Sequence, residues 1–572
     1  MRPDQLCLEA EALLRTQQIP AALQRFEEAV RLAPDDGAGW RAYGRGLVAA
    51  KNFSAAITAL ERACGLDAGD VEARTTLAWA HQNSSRVEEA IHWYGQALAL
   101  DPQSLVLQLN HACVWPVVAD SIDQIHACRE RCRELLAGFE TDPALYLHPT
   151  HTATNHTFPL AYHGLDDRAW LENYARLLLR FLGGEGPGAA PLPSTTRPPR
   201  GGRMRLGFAS AYFHAHSNTR AFEGLLRGLN RECFELVLIH LEGSCDDPVR
   251  RRLEAGVDLV VHCPSNVATT WQRLEALRLD LLFYTDVGMN PMLPALLCRR
   301  CAPVQVTGWG FPRTSGFPTL DYYLSGDLVE PGDGQDHYSE SLIRLHGLPC
   351  RYLSEDLPED PLAAAMGRSY FLLPEEVPLV GCLQTFWKMH PAFDAVLERI
   401  AEAVPEALFV FVEPTPPELA QLFLARLRRR APAAAERLVV LAGMKRAEYG
   451  VLAGCLDLLL DTLHFGSGIS FYESIFTGTP IVTVEGPYLR SRYVAAGYRL
   501  MGLQDAPVVH TPEAMADRAI ALLRDPQGRE GLRQRIREAA RTHLYDRMDL
   551  VHSFEDFAVE AIARSRRHLA GP

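Results

Sequence analysis

The residues with the clearest capacity for chemistry lie between positions 456 and 486, where an apolar run ends at Asp461 and a glycine-bearing turn, 466–468, follows. An amphipathic stretch containing Glu473 comes next, and a second apolar run, 481–484, closes the unit. This order predicts strand, loop, helix and strand. Unpaired N–H groups and the positive dipole end at a helix N-terminus favour anions. The pattern therefore indicates a nucleotide-diphosphate site, with Glu473 placed to accept hydrogen bonds from ribose hydroxyls.

An ordinary βα turn, which uses glycine for backbone reasons alone, is the alternative interpretation of this loop, because short glycine motifs are weak evidence. Four other polar or aromatic clusters favour the functional interpretation, since each follows a predicted strand. These clusters are YFHAHSN at 212–218, WGFPRTSG at 309–316, FWKMH at 386–390 and MKRAEY at 444–449.

Two series of short apolar runs must position these clusters, and helical segments separate the runs. That alternation predicts two parallel, doubly wound sheets, whose ligands lie at the carboxyl ends of the strands. The first series is 204–210, 234–242, 257–263, 279–286 and 302–310, and the second is 377–384, 407–414, 436–443, 456–462 and 480–484.

Residues 3–104 repeat with a period of 34, which is the tetratricopeptide signature of small residues where paired helices touch and large ones filling the seam. A generic helical bundle is the alternative. An array of tetratricopeptide repeats offers a groove that binds a peptide or a partner protein. The positions in register are Ala22, Ala56 and Ala90; Ala29, Ala63 and Ala97; Phe26, Leu60 and Tyr94; and Leu32, Leu66 and Leu100.

Length and composition bound the rest of the chain. Its 572 residues suffice for three or four domains, and its 47% hydrophobic and 22% charged residues are typical of a folded soluble protein. A net charge of −13 without a basic stripe argues against nucleic-acid binding. No run approaches about 18 apolar residues, so we expect no membrane span. An odd number of cysteines, thirteen, fits reduced thiols and a cytoplasmic location.

These patterns divide the chain into four predicted regions. Residues 1–140 hold the repeats and further helices, and 141–202 form a helical connector that ends in a Gly/Pro-rich linker. Residues 203–370 form an N-terminal Rossmann-like half, and 371–572 form a C-terminal Rossmann-like half that holds the predicted nucleotide-diphosphate site.

Several of these motifs resemble those of the protein O-GlcNAc transferases, glycosyltransferase family 41, which has bacterial members. The resemblance covers residues from about 145 to about 560 and rests on GFPRTSG at 310–316, Lys388 after a strand, and the block LDTLHFGSG…ESIFTGTPIVT. It implies a GT-B fold and metal-independent, inverting transfer of GlcNAc from UDP-GlcNAc to Ser or Thr hydroxyls of proteins. A sister branch glucosylates asparagine. No cofactor besides the UDP-sugar substrate is implied.

The resemblance also assigns residues to the donor site. Lys388 takes the position of the family's diphosphate-contacting lysine, and Gly468-Ile469-Ser470 stands where the family has His-Thr-Thr. Glu473 replaces a ribose-binding aspartate, Tyr449 replaces a uracil-stacking histidine, and Arg446 stands at a ribose-side lysine. The 310–316 loop lines the sugar pocket through its backbone. The full set of predicted donor-binding residues is Met444, Arg446, Tyr449, Gly466, Ser467, Gly468, Ile469, Ser470, Glu473, Pro312, Thr314 and Gly316.

The remaining catalytic candidates are histidines. His216 matches a histidine that lies close to the sugar nucleotide in the family, and His156 is preferred to His163 for an upstream histidine. The family's aspartate four residues before His216 is Tyr212 here, which leaves the general base unassigned.

These departures leave the function open in three ways. The donor is UDP-GlcNAc, another UDP-hexose or a CMP-linked nonulosonic acid. The acceptor is a range of proteins or one dedicated client such as flagellin. A scaffold with a degenerate transferase domain is the alternative from a different class.

Overall fold

A computed structural model of the protein describes residues 2–15, 18–139, 142–147, 156–182, 202–357, 367–413 and 416–570. The chain forms two compact units. One comprises Met1–Pro159 with Glu413–Arg426, and the other comprises Leu160–Val412 with Leu427–Pro572. Apart from Glu413–Arg426, both predicted α/β halves fall in the second unit. The boundaries of the four predicted regions stay predictions. Apart from Gly202, the predicted Gly/Pro-rich linker lies outside the described residues.

The first unit is helical, and its helices repeat with the predicted period. The first, third and fifth helices begin at residues 3, 37 and 71, and the second, fourth and sixth begin at 19, 53 and 87, so each series advances by 34. The helices are α1 Pro3–Arg15, α2 Ile19–Leu32, α3 Gly37–Ala49, α4 Phe53–Leu66, α5 Val71–Asn83, α6 Val87–Leu100, α7 Leu105–Ala112 and α8 Ile122–Phe139.

Packing inside the repeats follows the predicted pattern with one exception. The aligned alanines and the aligned large residues at 26, 60 and 94 are all buried. The leucines in register do not fill the seam as expected, since Leu32 and Leu100 are 51% and 46% exposed. Each is the last residue of its helix.

The second unit begins with α9, Arg168–Leu182, and then forms a seven-stranded parallel sheet of order β3-β2-β1-β4-β5-β6-β7. The first five strands confirm the predicted runs, while β6 and β7 were not predicted. The strands are β1 Met204–Ser210, β2 Phe234–His240, β3 Leu259–His262, β4 Leu281–Tyr284, β5 Val304–Gly308, β6 Tyr322–Gly326 and β7 Ser341–Leu345; the helices are α10 Ser217–Gly228, α11 Pro248–Ala255, α12 Val267–Ala276 and α13 Leu293–Leu296.

The C-terminal half forms a six-stranded parallel sheet of order β10-β9-β8-β11-β12-β13. Its first five strands confirm the second predicted series. The strands are β8 Leu379–Gly381, β9 Leu408–Val412, β10 Leu438–Leu441, β11 Leu458–Leu460, β12 Ile481–Val484 and β13 Val508–Val509; the helices are α14 Phe393–Ala403, α15 Glu418–Arg430, α16 Pro432–Ala435, α17 Arg446–Cys455, α18 Ile469–Ile475, α19 Tyr493–Leu500, α20 Pro512–Arg524, α21 Pro526–His543 and α22 Asp549–Ala570.

Each sheet has one point where the strand order reverses, and ligands of open α/β sheets bind outside such a switch point. In the first sheet the switch lies between β1 and β4, and in the second it lies between β8 and β11. The loops that follow these four strands are therefore the places to look for a site.

An aromatic cluster fixes the first sheet to the end of the chain. Phe208 of β1 and Phe283 of β4 have ring centroids 5.7 Å apart, and both contact Phe554 of α22 at 6.1 Å. Trp309 stacks on Phe222 of α10 at 4.7 Å. Aromatic pairs of this kind contribute about 0.5–1.5 kcal/mol each beyond their buried area. The C-terminal helix α22 is therefore an integral part of the hydrophobic core of the N-terminal α/β half.

The cysteines, the helix lengths and the metal-ligating side chains were also compared across the structure. All thirteen cysteines are free thiols, as expected. No helix among the described residues is long and apolar enough to cross a bilayer. No group of three or more metal-ligating side chains occurs within the described ranges.

Candidate active site

The loop between β11 and α18 is organised by a buried carboxylate, Asp461, which is 2% exposed. Its Oδ1 accepts hydrogen bonds from the Ser467 amide at 2.7 Å and the Ser467 hydroxyl at 2.9 Å, and its Oδ2 accepts from Thr483 at 2.9 Å. A Cβ at Gly466 would lie 2.5 Å from Oδ2, so only glycine fits there. Burial raises the pKa of Asp461. The sequence analysis named Asp461 only as the end of an apolar run and gave it no role, although an acid directly after an apolar strand is a visible signal.

Lys388 lies in a single turn of helix after β8 and contacts the same loop. Its ammonium donates to Gly466 O at 3.0 Å and to Gln384 Oε1 at 2.7 Å, and it lies 4.8 Å from the Phe465 ring centroid. The Gln384 amide in turn donates to the hydroxyls of Ser467 and Ser470 at 2.9 and 3.0 Å. The structure therefore brings Lys388 and the predicted 466–470 loop into one hydrogen-bonded cluster through Gln384, which the sequence analysis did not single out.

Burial also lowers the pKa of Lys388 to about 8, and the Asp461 charge partly opposes this effect. The side chain is therefore mostly an ammonium at neutral pH. Ligands of open α/β sheets bind at the switch point, where Lys388 stands, so its ammonium is suited to bind an anion.

We expect affinity for a nucleoside diphosphate to depend on pH through this lysine. Its folded-state pKa of about 8 means that the ammonium is present below pH 8 and is lost as the pH rises. UDP affinity should stay level below that value and fall by up to about tenfold per pH unit above it. Titration calorimetry with UDP at pH values on both sides of 8 measures this. Lys388→Arg protein should bind UDP with the same affinity below and above pH 8, because the guanidinium stays charged. A level wild-type profile would contradict the assignment.

Glu473 lies in α18 and is 7% exposed. In this structure its carboxylate is held by protein groups: Arg220 Nε lies 2.9 Å away, Arg446 3.7 Å away, and the Tyr352 hydroxyl donates at 3.1 Å. The predicted ribose contact therefore requires ribose hydroxyls to compete with Tyr352 and two arginines. Arg220 belongs to α10, so this ion pair joins the two α/β halves of the second unit, which the sequence could not reveal.

The other predicted donor-binding side chains of the C-terminal half either bond to backbone carbonyls of the protein or pack against it. Tyr449 is half-buried, and its hydroxyl donates to Leu383 O at 2.9 Å. Arg446 donates to Asp356 O at 2.5 Å. Met444 is half-buried in the loop before α17. The side chain of Ile469 packs against the core of the first sheet, so it serves packing there, and only backbone at this position is left to reach a ligand.

The GFPRTSG loop follows β5, and its polar side chains form hydrogen bonds within the protein. Glu340 accepts from the Thr314 hydroxyl at 2.6 Å and from the Ser315 amide at 2.9 Å. Gly316 has φ +82°, a backbone conformation that favours glycine. Pro312 and Thr314 line a small cavity together with Asp166, Asp167, Arg168, Arg313, His337, Tyr338, Tyr488, Leu489 and Arg490.

Gly316→Ala should destabilise the second unit by about 2–4 kcal/mol, since alanine is strained at positive φ and its methyl has no space. The added carbon would lie 2.3 Å from the Leu171 carbonyl carbon. Chemical denaturation measures the loss. Gly531→Ala is the control, because its nearest neighbour is a flexible Arg535 nitrogen at 3.5 Å. An equal response of the two variants would show that the turn tolerates a side chain.

The two predicted histidines lie in different units. His216 is the N-cap of α10, where its Nδ1 accepts from Asn218 N at 3.1 Å and its ring stacks on Tyr212 at 4.5 Å. Burial, with His214 and Arg220 nearby, lowers the pKa of His216 to about 4. His156 belongs to the helical unit, is 2% exposed and hydrogen bonds Asn110 at 2.8 Å. Burial lowers the pKa of His156 to about 3. Both are neutral at pH 7, and their catalytic roles stay predictions.

Comparison with known proteins agrees with this architecture. A family model described as tetratricopeptide repeat matches residues 47–110. The probable UDP-N-acetylglucosamine–peptide N-acetylglucosaminyltransferase SEC of Arabidopsis thaliana is 23% identical over 367 residues, which are 62% of this chain and 36% of that protein. The SPINDLY protein of Solanum lycopersicum, with the same enzyme name, is 26% identical over 254 residues, 44% of this chain and 26% of that protein. The chain thus spans between about a quarter and slightly more than a third of the length of these curated relatives.

Among solved structures, a mutant O-GlcNAc transferase of Thermobaculum terrenum aligns with a TM-score of 0.76 at 22% identity and covers 99% of this chain and 98% of that one. The fold is that of a tetratricopeptide-repeat protein whose two parallel-sheet α/β domains have a GT-B architecture. The chain is homologous to the O-GlcNAc transferases, which confirms the family resemblance found in its motifs.

Proposed function

We propose that the protein is an inverting glycosyltransferase that moves a sugar, with UDP-GlcNAc as the favoured donor, to Ser or Thr hydroxyls of a protein recruited by its repeats. The observation that carries the proposal is the cluster at the second switch point, in which Lys388, Gln384 and Asp461 hold the 466–470 loop. The names of the homologous proteins support the choice of donor and of a peptide acceptor.

In this mechanism the acceptor hydroxyl oxygen attacks the anomeric carbon opposite the UDP leaving group. The new C–O bond forms as the bond from the anomeric carbon to the β-phosphate oxygen breaks, and the electron pair stays on UDP. Lys388 neutralises the charge that grows on the diphosphate, and fixed charges of this kind contribute most to such reactions. Binding donor and acceptor in line lowers the entropy cost of their meeting.

Backbone amides must supply much of the remaining phosphate binding. The family's His-Thr-Thr run is Gly468-Ile469-Ser470 here, and the Ile469 side chain packs into the core. Ser470 keeps a hydroxyl, which accepts from Gln384. We propose that no metal takes part, because Lys388 supplies the positive charge. A requirement for a divalent cation, seen as lost transfer in chelator and recovery with added metal, would contradict this.

The altered run leaves the sugar open, so another UDP-hexose, or a CMP-linked nonulosonic acid, is a second candidate donor. A transferase dedicated to one client such as flagellin and a degenerate scaffold are further candidates.

We therefore propose a thermal-shift panel of UDP, UDP-GlcNAc, UDP-glucose, GDP-fucose, CMP and CMP-linked sugars. Stabilisation by UDP above GDP and CMP ligands supports the proposal, and the largest shift among UDP-sugars names the donor. A protein that none of these stabilises is a scaffold. Intact mass of co-expressed acceptors then measures transfer.

A further inference from the structure

The cavity lined by Pro312 and Thr314 of the GFPRTSG loop has no role in the cluster around Lys388. We call it the arginine cavity, because three arginines contribute to its wall. Its space is about 290 Å³, part of which is open to solvent. The wall draws on the start of α9, on loops of the N-terminal half and on the loop after β12. Its charged and imidazole side chains are Asp166, Asp167, Arg168, Arg313, Arg490 and His337.

Two buried nitrogen atoms of this wall, Arg490 Nε and His337 Nδ1, have no hydrogen-bond partner within the described part of the chain. Arg490 is 3% exposed. Its Nη2 donates to Leu165 O at 2.7 Å and lies 3.6 Å from an Asp167 oxygen. The Tyr488 ring centroid lies 4.3 Å from the guanidinium carbon and 4.8 Å from the His337 ring centroid. A buried N–H without an acceptor costs about 1–3 kcal/mol, so native proteins seldom keep one without a reason.

The hydroxyl donors of the wall are already engaged with buried carboxylates. Tyr338 donates to Glu330 at 2.7 Å, and Thr314 donates to Glu340 at 2.6 Å. The Arg490 guanidinium is therefore the donor that the wall offers to a ligand. A carboxylate is the group whose geometry and charge suit a guanidinium best.

Contacts of Arg490 place the arginine cavity beside the predicted donor loop. The Gly466 amide donates to Arg490 O at 2.8 Å, and Gly466 O accepts from the Lys388 ammonium at 3.0 Å. Phe465, the residue before Gly466, contacts Phe311 of the GFPRTSG loop with ring centroids 6.0 Å apart. The loop that holds Lys388 is therefore bonded to one wall of the cavity and packed against another. A group bound by the Arg490 side chain lies next to the donor loop.

We propose that the arginine cavity binds a carboxylate group of a substrate through Arg490, with His337 as a second contact. The inference rests on the proposed function, because a glycosyltransferase must bring the acceptor hydroxyl to the sugar that its donor loop presents. A group beside that loop can therefore meet either substrate. The carboxylate belongs to the sugar, as in a hexuronic acid, or to an acidic side chain next to the acceptor hydroxyl. Complete ligand sites usually enclose about 300–1,000 Å³, so this smaller cavity suits a single group.

The first measurement compares UDP-glucuronic acid with UDP-glucose, which differ only in the carboxylate, by titration calorimetry. If the carboxylate belongs to the sugar, wild-type protein should bind UDP-glucuronic acid about 10- to 100-fold more tightly, the usual effect of a hydrogen bond to a charged group. Arg490→Gln should reduce this ratio to about one. His337→Phe keeps a ring against Tyr488 and should reduce the ratio about threefold.

The second measurement compares two pools of Ser/Thr peptides with randomised flanks, in which one neighbour of the hydroxyl residue is Glu in the first pool and Gln in the second. Transfer to each pool is counted with the donor named by the thermal-shift panel. If the carboxylate belongs to the acceptor, the Glu pool should be labelled about 10- to 100-fold faster. Arg490→Gln should remove that preference, and His337→Phe decides the question if Arg490→Gln protein does not fold.

Arg533→Gln is the matched control. The Arg533 side chain is 14% exposed, and its guanidinium donates to Gly454 O and to the Thr479 hydroxyl, neither of which lines the arginine cavity. This variant should keep whichever preference the wild-type protein shows. A preference that survives in folded Arg490→Gln protein overturns the inference.

Two outcomes with wild-type protein separate this inference from the proposed function. Protein that binds both UDP-sugars equally and labels both pools equally overturns the inference and leaves the proposed function intact. Protein that binds both UDP-sugars equally and labels neither pool overturns both.

Discussion

Lys388→Ala should lower the rate of sugar transfer about 10²- to 10³-fold, the usual effect of removing one fixed charge that faces a developing anion. The side chain lies at the switch point of the second sheet, and its ammonium is 3.0 Å from Gly466 O. Alanine removes the cation that, in the proposed mechanism, faces the diphosphate. It also removes the donor that joins this loop to Gln384 Oε1 at 2.7 Å. Steady-state kinetics with the donor named by the thermal-shift panel measures the loss.

Lys388→Arg separates charge from geometry. It keeps the cation but cannot reproduce the compact ammonium contacts, so its rate should fall between wild type and Lys388→Ala. Arg399→Ala is the control for charge alone, since Arg399 is a surface residue paired with Asp517 at 2.5 Å, and its rate should equal that of wild type. Full activity in folded Lys388→Ala protein would remove Lys388 from the mechanism.

Asp461→Ala should destabilise the second unit by about 3–5 kcal/mol, because it leaves several buried donors without an acceptor. These donors are the Ser467 amide and hydroxyl and the Thr483 hydroxyl, all within 2.9 Å of the carboxylate. The 466–470 loop should lose its shape as well, so UDP affinity should fall at least about tenfold. Chemical denaturation and titration calorimetry measure the two effects.

Thr483→Val is the matched variant, because it removes one donor and leaves the loop bonds to Ser467 in place. It should cost about 1 kcal/mol of stability and leave UDP affinity unchanged. If Asp461→Ala keeps both its stability and its UDP affinity, Asp461 does not organise the donor loop.

Local patterns sufficed for much of the fold. Apolar runs separated by helices predicted ten of the thirteen strands, and the period of 34 in the sequence recurs in the starting positions of the first six helices. The strands that were missed lack a local signal: β6 is YYLSG, β7 is SLIRL with exposed and half-buried positions, and β13 has two residues. Their strand character comes from neighbours in the sheet, since β6 and β7 pair at the edge next to β5.

The site shows the same division between local and distant signals. Lys388 and the 466–470 loop could be found from the sequence because each follows an apolar strand. Gln384 could not, since its importance comes from Ser467, 83 positions later, and the Arg220 contact with Glu473 spans the two sheets.

The most direct test of the account is transfer of labelled sugar to protein. Wild-type protein and Lys388→Ala protein are incubated with radiolabelled UDP-GlcNAc and a desalted lysate of the native source, and protein-bound label is counted before and after alkaline β-elimination. We predict label on protein that β-elimination releases, as for sugars on Ser or Thr, with little label from Lys388→Ala. Wild-type protein that binds UDP-sugars yet moves no sugar to any protein would contradict the account.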